Sequence, residues 1–440
     1  MRDLLYLTAC LLLLLSSGNL HAQTTNVQFI DLPTVLRLAG ARNLDIQIAN
    51  RRLAEAKANE QTATWQFFPW LSPGVGYRRH DDLLQDVGGN IIDVHKQSYT
   101  VGPSVVGQID LGDAIYKTLV AHQLVKAADF ALGSQRLESL LAATQSYFDL
   151  TRAAAESQVV RESLKISQDY QTQLHEAVSA GIAYKGDELR IQVQTELYQL
   201  SLRQALEQER LNAARLAEHL HLDPIIVLAS RDTGLVPLTI VERNAALDSL
   251  VHQALRSRPE IFQTQAVAGA ASEEKQATIY GPLIPAVSAQ AFAGGLGGGR
   301  QGGSDSFGAS EDYGIGLNWR IGPGGLFDAG RKRAAQARLD IATLNKTKLA
   351  DQITRQVVET FTTANSLADQ LITAKTNLST ASEVLRLSSA RREFGVAAVL
   401  ENIQAQQDLA RARSEYLRIV AEHNKAQYAL YAAIGNVPTP

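Results

Sequence analysis

Residues 313–333 read YGIGLNWRIGPGGLFDAGRKR, and one pattern gives way to another inside them. Tyr313, Ile315, Leu317, Trp319 and Ile321 alternate with Gly314, Gly316, Asn318 and Arg320. A period of two with one apolar and one small or polar face is a strand covered on one side and wet on the other. After the PGG turn the alternation stops. LFDAGRKR opens a stretch rich in Ala, Leu, Gln, Glu and Arg with no proline before Pro438, which is the composition of a long helix. A strand therefore passes through one turn into a helix.

The same alternation occurs elsewhere. Val287, Ala289, Ala291 and Ala293 alternate with Ser288, Gln290 and Gly294. Upstream, Leu71, Val75 and Tyr77, then Tyr99, Val101, Val105 and Ile109, are interleaved with Ser, Gly, Thr, Gln and Arg. These are two hairpins, at 71–109 and 286–322, with expected strands of about ten residues, the length that crosses a bilayer when tilted. The intervening segments, 80–96 and 294–311, read as polar or Gly/Ser-rich loops. Tyr77, Tyr99, Tyr313 and Trp319 lie on the apolar face, where a membrane barrel keeps its aromatic girdles. An ordinary sheet packed on helices gives the same alternation. If the strands lie in a membrane, four cannot close a barrel, because bilayer barrels start at about eight strands and open edges are excluded from lipid. Several chains must then share one, and three would give twelve strands.

Of the 12 prolines, none lies between Pro103 and Pro224 or between Pro323 and Pro438. A helix over 113–179 would run roughly 100 Å at 1.5 Å per residue. Phe130, Leu137, Leu140, Tyr147 and Ala154 hold heptad-related positions, as do Leu189, Val193, Leu197 and Leu200 on the return. In the later block Leu409, Ala412, Tyr416, Ile419, His423, Ala426, Leu430 and Ala433 keep a coiled-coil seam. The two blocks are copies. Arg42 and Pro69 match Arg258 and Pro285; Asp110 and Gly112 match Asp328 and Gly330; Tyr147, Gly181, Asp187 and Leu220 match Phe361, Gly395, Glu401 and Ile434. The repeat is about 215 residues, far longer than a solenoid unit. Residues 23–222 form the first copy with a tip turn at 180–187, and 223–245 form the link. Residues 246–435 form the second copy with a tip turn at 394–401, and 436–440 are a tail.

The N-terminus supplies Arg2, a leucine run from Leu4 to Leu15 too short to span a bilayer, and a small-residue exit before Gln23. Residues 1–22 read as a signal peptide. Leu7-Thr8-Ala9-Cys10 matches a lipobox by letter, but it precedes the end of the leucine run and is not read as a lipid anchor. Cys10 and Met1 are the sole sulfur-bearing residues, so the mature chain has no disulfide, thiolate site or cysteine nucleophile. A net charge of −3 on 440 residues gives no sign of a nucleic-acid binder. No nucleophile–base–orienter set, phosphate loop or metal spacing stands out, so no enzyme, cofactor or metal site is expected. His219, His221 and Asp223 form an HLHLD cluster, but residues two apart do not share a helix face. His423 reads as a core or interface histidine. The loop acids Asp81, Asp82 and Asp86 read as solvated.

In sequence this chain resembles the TolC family of outer-membrane efflux and secretion channels. The resemblance rests on LFDAGRKR (326–333) and its weaker partner IDLGD (109–113), on FFPWL (67–71) and GPLIPAV (281–287), and on SAGIAYKGDEL (179–189) and REFGVAAVLENI (392–403). It implies a fold of mixed α and β class. A homotrimer would share a twelve-stranded transmembrane barrel, four strands per chain, continued by a long periplasmic barrel of helices. It further implies an outer-membrane conduit reaching into the periplasm, with a periplasmic adaptor (membrane fusion protein) and an inner-membrane pump of RND or ABC type as partners. Adaptor docking would fall on the tip glycines Gly181 and Gly395. The periplasmic aperture would fall on Asp187, Glu401 and Gln404, with Gln404 and Arg190 standing where further acids would deepen an electronegative ring. Asp110, Gly112, Asp328 and Gly330 would form the strand-to-helix turns. Gly181 and Gly395 also fit plain helix termination, and Asp187 and Glu401 fit helix N-caps. Two other classes bear comparison. A trimeric adhesin-type anchor also shares a twelve-stranded barrel, but places its strands in one C-terminal block. A periplasmic coiled-coil scaffold predicts no lipid-facing alternation.

Overall fold

A computed structural model describes residues 27–68, 70–223, 225–232, 234–300, 306–393 and 399–438. The expected signal peptide, Cys10 and Gly395 lie outside the described residues. The first copy runs β1 (Val27–Ile30), α1 (Leu32–Arg42), α2 (Leu44–Trp65), β2 (Trp70–His80), β3 (Leu83–Gln85), β4 (Ile91–Asp93), β5 (Lys96–Asp110), α3 (Leu111–Ser179) and α4 (Lys185–His219). After β6 (Val227–Ser230) the second runs α5 (Leu247–Ser257), α6 (Pro259–Tyr280), a 3-10 turn (Gly281–Leu283), β7 (Ala286–Arg300), β8 (Ser306–Asn318), α7 (Ala329–Glu393) and α8 (Val399–Ala433). Two shorter helices, a hairpin, a long helix and a return helix thus occur twice.

The two hairpins join into one antiparallel sheet of order β2-β5-β7-β8. The first copy's β5 pairs with the second copy's β7, from Asp110↔Ala286 to Lys96↔Arg300. Tyr77 and Tyr99 face each other across β2 and β5 with ring centroids 5.2 Å apart. The expectation of ten-residue strands and of a loop from 294 is corrected. β5 and β7 each have 15 residues and β8 has 13, and the glycine run stays in the sheet to Arg300. A Cβ at Gly294 would lie 2.9 Å from the Cα of Gly102, and one at Gly298 would lie 3.3 Å from the Cα of Ser98. The glycines let β7 approach β5 closely, which composition alone cannot separate from a loop. Within 80–96 a small β3–β4 hairpin forms where a plain loop was expected. β2 and β8 remain as unpaired edges.

α3, with 69 residues, runs roughly 100 Å away from the sheet. Near the sheet the helices lie side by side in the order α2, α3, α6, α7. Ile46 packs on Leu132, and Phe130 stacks on Phe262 at 5.2 Å. Midway lie two apolar cores. Tyr147, Leu150, Leu216, Leu220 and Val420 meet Val35, Leu36 and Leu228 in one; Ile353, Val357 and Leu430 meet Leu250 and Ala254 in the other. Each such leucine buried contributes about 1.5–3 kcal/mol. β1 and β6 pair in parallel, tying the link to the chain's start. The Tyr147 hydroxyl donates to the Asp232 carboxylate, and burial together with that carboxylate pushes the phenol pKa up to about 12.

As its spacing predicts, the α8 seam is buried from Leu409 to Ala433, except at Tyr416, which is half-buried. On α4 the expected stripe faces outward. Leu189, Val193, Leu197 and Leu200 are 51–56% exposed, while Ile191, Gln194, Thr195 and Tyr198 face the other helices. Two stripes share the helix, and periodicity cannot say which one meets the chain's own partner. Among the described residues no helix is long and apolar enough to cross a membrane.

Candidate functional site: the sheet face, its junctions and the helix tips

The sheet has one face of exposed apolar groups. Val75 and Ile315 are 81% and 86% exposed, and by the strand register Tyr77, Tyr313 and Leu317 share their side. Trp319, expected among them, lies beyond β8, where its indole N–H donates to the Leu283 carbonyl. Burying such groups is what a strand's apolar face requires, and none of the described residues covers them. The opposite face carries polar groups, among which Ser104 donates to the Ser72 carbonyl and Asn318 donates to the Ser288 hydroxyl.

The junctions between strand and helix are capped. Asp110 accepts the Asp113 N–H at 3.0 Å at the start of α3. Asp328 accepts the Arg331 N–H at 2.9 Å and the Gly324 N–H at 3.0 Å, and these two donors hold its carboxyl below the usual range. Phe327 before it has φ +71, a left-handed conformation unusual for a bulky residue. Gly112 has a role beyond the turn. A Cβ there would overlap the Gly281 carbonyl oxygen and lie 2.9 Å from its carbon and Cα. At Gly330 the nearest atom is an Asp328 carboxylate oxygen at 3.6 Å, an ordinary contact.

At the far end of α3 the chain turns within Ala180–Tyr184 rather than over 180–187. Gly181 has φ +72; its N–H bonds the Val178 carbonyl and the Ile182 N–H bonds the Ala177 carbonyl, the paired bonds of a Schellman end. Ile182 and Tyr184 stand exposed on the turn. Asp187 does not cap α4 as expected, because Tyr184 holds the N-cap position and no side-chain cap bond forms. Its carboxylate lies in the first turn and accepts from Arg190 at 3.2 Å. Glu401 sits in the first turn of α8 and accepts from Arg391 at 2.9 Å. Gln404 is exposed one turn further on. Both acids singled out in the sequence therefore have a guanidinium partner.

The sequence reading missed Glu188, the buried acid of the tip at 9% exposure. It accepts from Lys185 at 2.6 Å and from His175 Nδ1 at 2.8 Å, and these bonds, Lys185 first, hold its pKa down. The only sequence signal was Lys185 three residues before it. Gln194 on α4 and Gln407 on α8 bond across the tip, beside Ile191 and Ile403. Away from the tip, His221 has φ +50 in the turn after α4, and Asp223 accepts the Ile225 N–H. Asp81 is held by Arg79 at 2.7 Å and His95 at 3.0 Å. No metal-ligating cluster occurs among the described residues. His423 is buried on the α8 seam, with Nε2 3.0 Å from the Leu238 carbonyl.

Residues 250–436 match the family model described as outer membrane efflux protein. No protein of curated function matches the chain. Solved structures do. The chain is similar to the outer-membrane channel OprN at 18% identity and TM-score 0.77, over 92% of this chain and 90% of that one. It is similar to the CmeC outer membrane channel of Campylobacter jejuni at 15% and 0.78, over 92% and 85%. It is similar to the outer membrane protein VceC of Vibrio cholerae at 18% and 0.77, over 92% and 96%. The resemblance read from the sequence is confirmed by this family match and by the shared fold.

Proposed function

We propose that this chain, which has the fold of the TolC-like outer-membrane channels and carries the outer membrane efflux protein match across its second copy, is the passive outer-membrane conduit of a tripartite efflux pump or type I secretion system. The observation that carries the reading is the four-stranded sheet, with an uncovered apolar face and two unpaired edges, continuous with helices roughly 100 Å long. Open strand edges are not tolerated in lipid, so the sheet must be completed by other copies. Three copies give twelve strands and a closed barrel, with the apolar faces toward the outer-membrane lipid and the Ser, Gln, Asn and Gly faces toward a wet lumen. The helices then extend into the periplasm and end at the tips.

The conduit performs no chemistry. An inner-membrane transporter of RND or ABC type supplies the energy, and a periplasmic adaptor couples it to the tips. Gly181, with Ile182 and Tyr184 exposed beside it, is the docking point in the first copy, and Gly395 is its counterpart in the second. Asp187, Glu401 and Gln404 line the aperture. Opening is a small change in how the tip helices coil, a shear of packed helices rather than a lid. Light scattering in a detergent that preserves the fold tests the assembly, with a three-chain mass expected. A monomeric mass there removes the shared barrel, and with it the channel.

A further inference from the structure

At the base of the sheet, on its polar face, lies a recess of about 280 Å³ lined by Gln108, Asp110, Asn318, Arg320 and Arg331. It meets a second recess of about 400 Å³ between α3, α6 and α7, and Asp113 and Arg331 line both. The second recess has apolar walls, from Tyr116, Val120, Leu124, Ala277 and Ala335. Together they form an apolar slot with a charged mouth, in the size range of small-molecule sites.

The charges of that mouth are unequally paired. Asp110 accepts the Asp113 N–H, Asp113 lies 3.5 Å from Lys117, and Arg338 pairs with Glu274. The two arginines converge on Gly324. Arg331 donates to the Gly324 carbonyl at 3.0 Å, and the Arg320 guanidinium lies 3.8 Å from where a Gly324 Cβ would be. Among the described residues neither guanidinium has a carboxylate within 4.0 Å, although both belong to the loop and helix start that Asp328 caps through backbone N–H groups. Asp328 acts on Arg331 through space, and Asp110 and Asp113 line the same recess, so the mouth carries no excess of positive charge. What it offers is two guanidinium forks without a direct carboxylate partner, whose geometry matches carboxylate, sulfate and phosphate oxygens.

We propose that this double recess binds a soluble amphipathic organic anion, its apolar body against Tyr116, Val120 and Leu124 and its acidic group on Arg320 and Arg331. In the closed barrel the recess opens on the lumen, because Gln108, Asp110 and Asn318 lie on the sheet's polar face. The site is then a station on the cargo's path, a placement that rests on the channel reading, whereas the binding itself does not.

The test uses the full-length protein in nanodiscs of zwitterionic lipid, titrated with 1-anilinonaphthalene-8-sulfonate, with empty discs subtracted. Arg320→Gln with Arg331→Gln is expected to weaken binding about tenfold or more, the loss of contacts to a charged group. Arg320→Lys with Arg331→Lys, which keeps both charges, is expected to lose less. Leu124→Glu, at a half-exposed position, is expected to weaken it with the arginines intact. Arg333→Gln, outside the recess, is expected to leave it unchanged. Native mass spectrometry of the protein as purified separates the other source of an amphipathic anion. A phospholipid retained by the unmodified protein and lost from the double Gln variant would overturn the proposal in favour of a lipid site. Equal dye binding by the unmodified and double Gln proteins overturns it outright. A monomeric mass would sink the channel reading while leaving the dye result standing.

Discussion

Replacing Gly112 by alanine tests how closely the helical wall is packed under the sheet. The added Cβ would overlap the Gly281 carbonyl oxygen and lie 2.9 Å from the Gly281 carbon and Cα. Carbon pairs prefer about 3.5–4.0 Å, so α3 and the 3-10 turn after α6 must separate by more than about half an ångström. Backbone atoms form the obstacle, and no rotamer change relieves them. Overpacking a tight site costs about 1–3 kcal/mol, and rigid backbone puts this case at the upper end. Alanine returns up to about 1 kcal/mol of helix propensity. The net is a loss of about 2 kcal/mol per chain, roughly thirtyfold in the folded-to-unfolded ratio. The control is Gly40→Ala, on the exposed side of α1, where a Cβ meets nothing within 4 Å; it should gain up to about 1 kcal/mol. Guanidinium unfolding followed by the helical circular dichroism signal in one detergent gives both midpoints. If Gly112→Ala unfolds at or above the midpoint of the unmodified protein, the close approach of α3 to Gly281 does not limit stability and the reasoning is wrong.

Three other outcomes follow from particular contacts. Val193→Glu with Leu197→Glu, on the outward stripe of α4, should leave helix content intact and reduce the assembled species on a sizing column; an unchanged elution would mean that this stripe packs on nothing. Arg190→Gln with Arg391→Gln removes the cations 3.2 and 2.9 Å from the tip acids. In planar bilayers at low salt, where screening is weakest, cation preference should rise, and equal selectivity would place these acids away from the constriction. Burial pushes the His423 pKa down, so the folded state disfavours the imidazolium. That stability is present above about pH 6.5, the usual histidine value, and is lost as pH falls below it. Heat stability should therefore drop between pH 7 and pH 5, and His423→Gln should flatten the profile.

What was legible in the sequence were the features that repeat locally. Alternation over 313–321 gives β8 and the residues after it, and the α8 seam from Leu409 to Ala433 gives the packed face of that helix. Asp110 and Asp328, expected at the strand-to-helix turns, each accept the N–H three residues on, a contact that depends on local sequence. What failed depended on distant chain. The glycine run 294–299 reads as a loop until β5 lies beside it. Leu189 to Leu200 read as an internal seam until Ile191 and Tyr198 are seen to hold that place. Glu188 gave little sign because its second partner, His175, comes from the end of α3 across the turn. Arg391 lies ten residues before Glu401, too far for helical spacing to connect them.

The internal copies yield a prediction that neither copy gives alone. In the first, Gly112 at the start of α3 meets the Gly281 carbonyl, which also accepts the Ile284 N–H at 3.0 Å. The matched glycine, Gly330, starts α7 but meets only Asp328. The residue matched to Gly281 by the repeat is Trp65, whose carbonyl accepts the Phe68 N–H at 3.0 Å in the same three-residue turn. That turn ends α2, on the far side of the row of helices from α7. In one chain the two are apart. If chains close into a ring as proposed, α7 of one chain comes beside α2 of the next, as β8 comes beside β2, and the repeat places Gly330 against the Trp65 turn of the next chain. Gly330→Val should therefore leave the circular dichroism spectrum of the chain intact while lowering the yield of the three-chain species in detergent. Gly112→Val should lower both. A Gly330→Val protein that assembles as fully as the unmodified one would show that the contact between copies does not repeat the contact within the chain, and that the ring closes with a different spacing at each of the two kinds of junction.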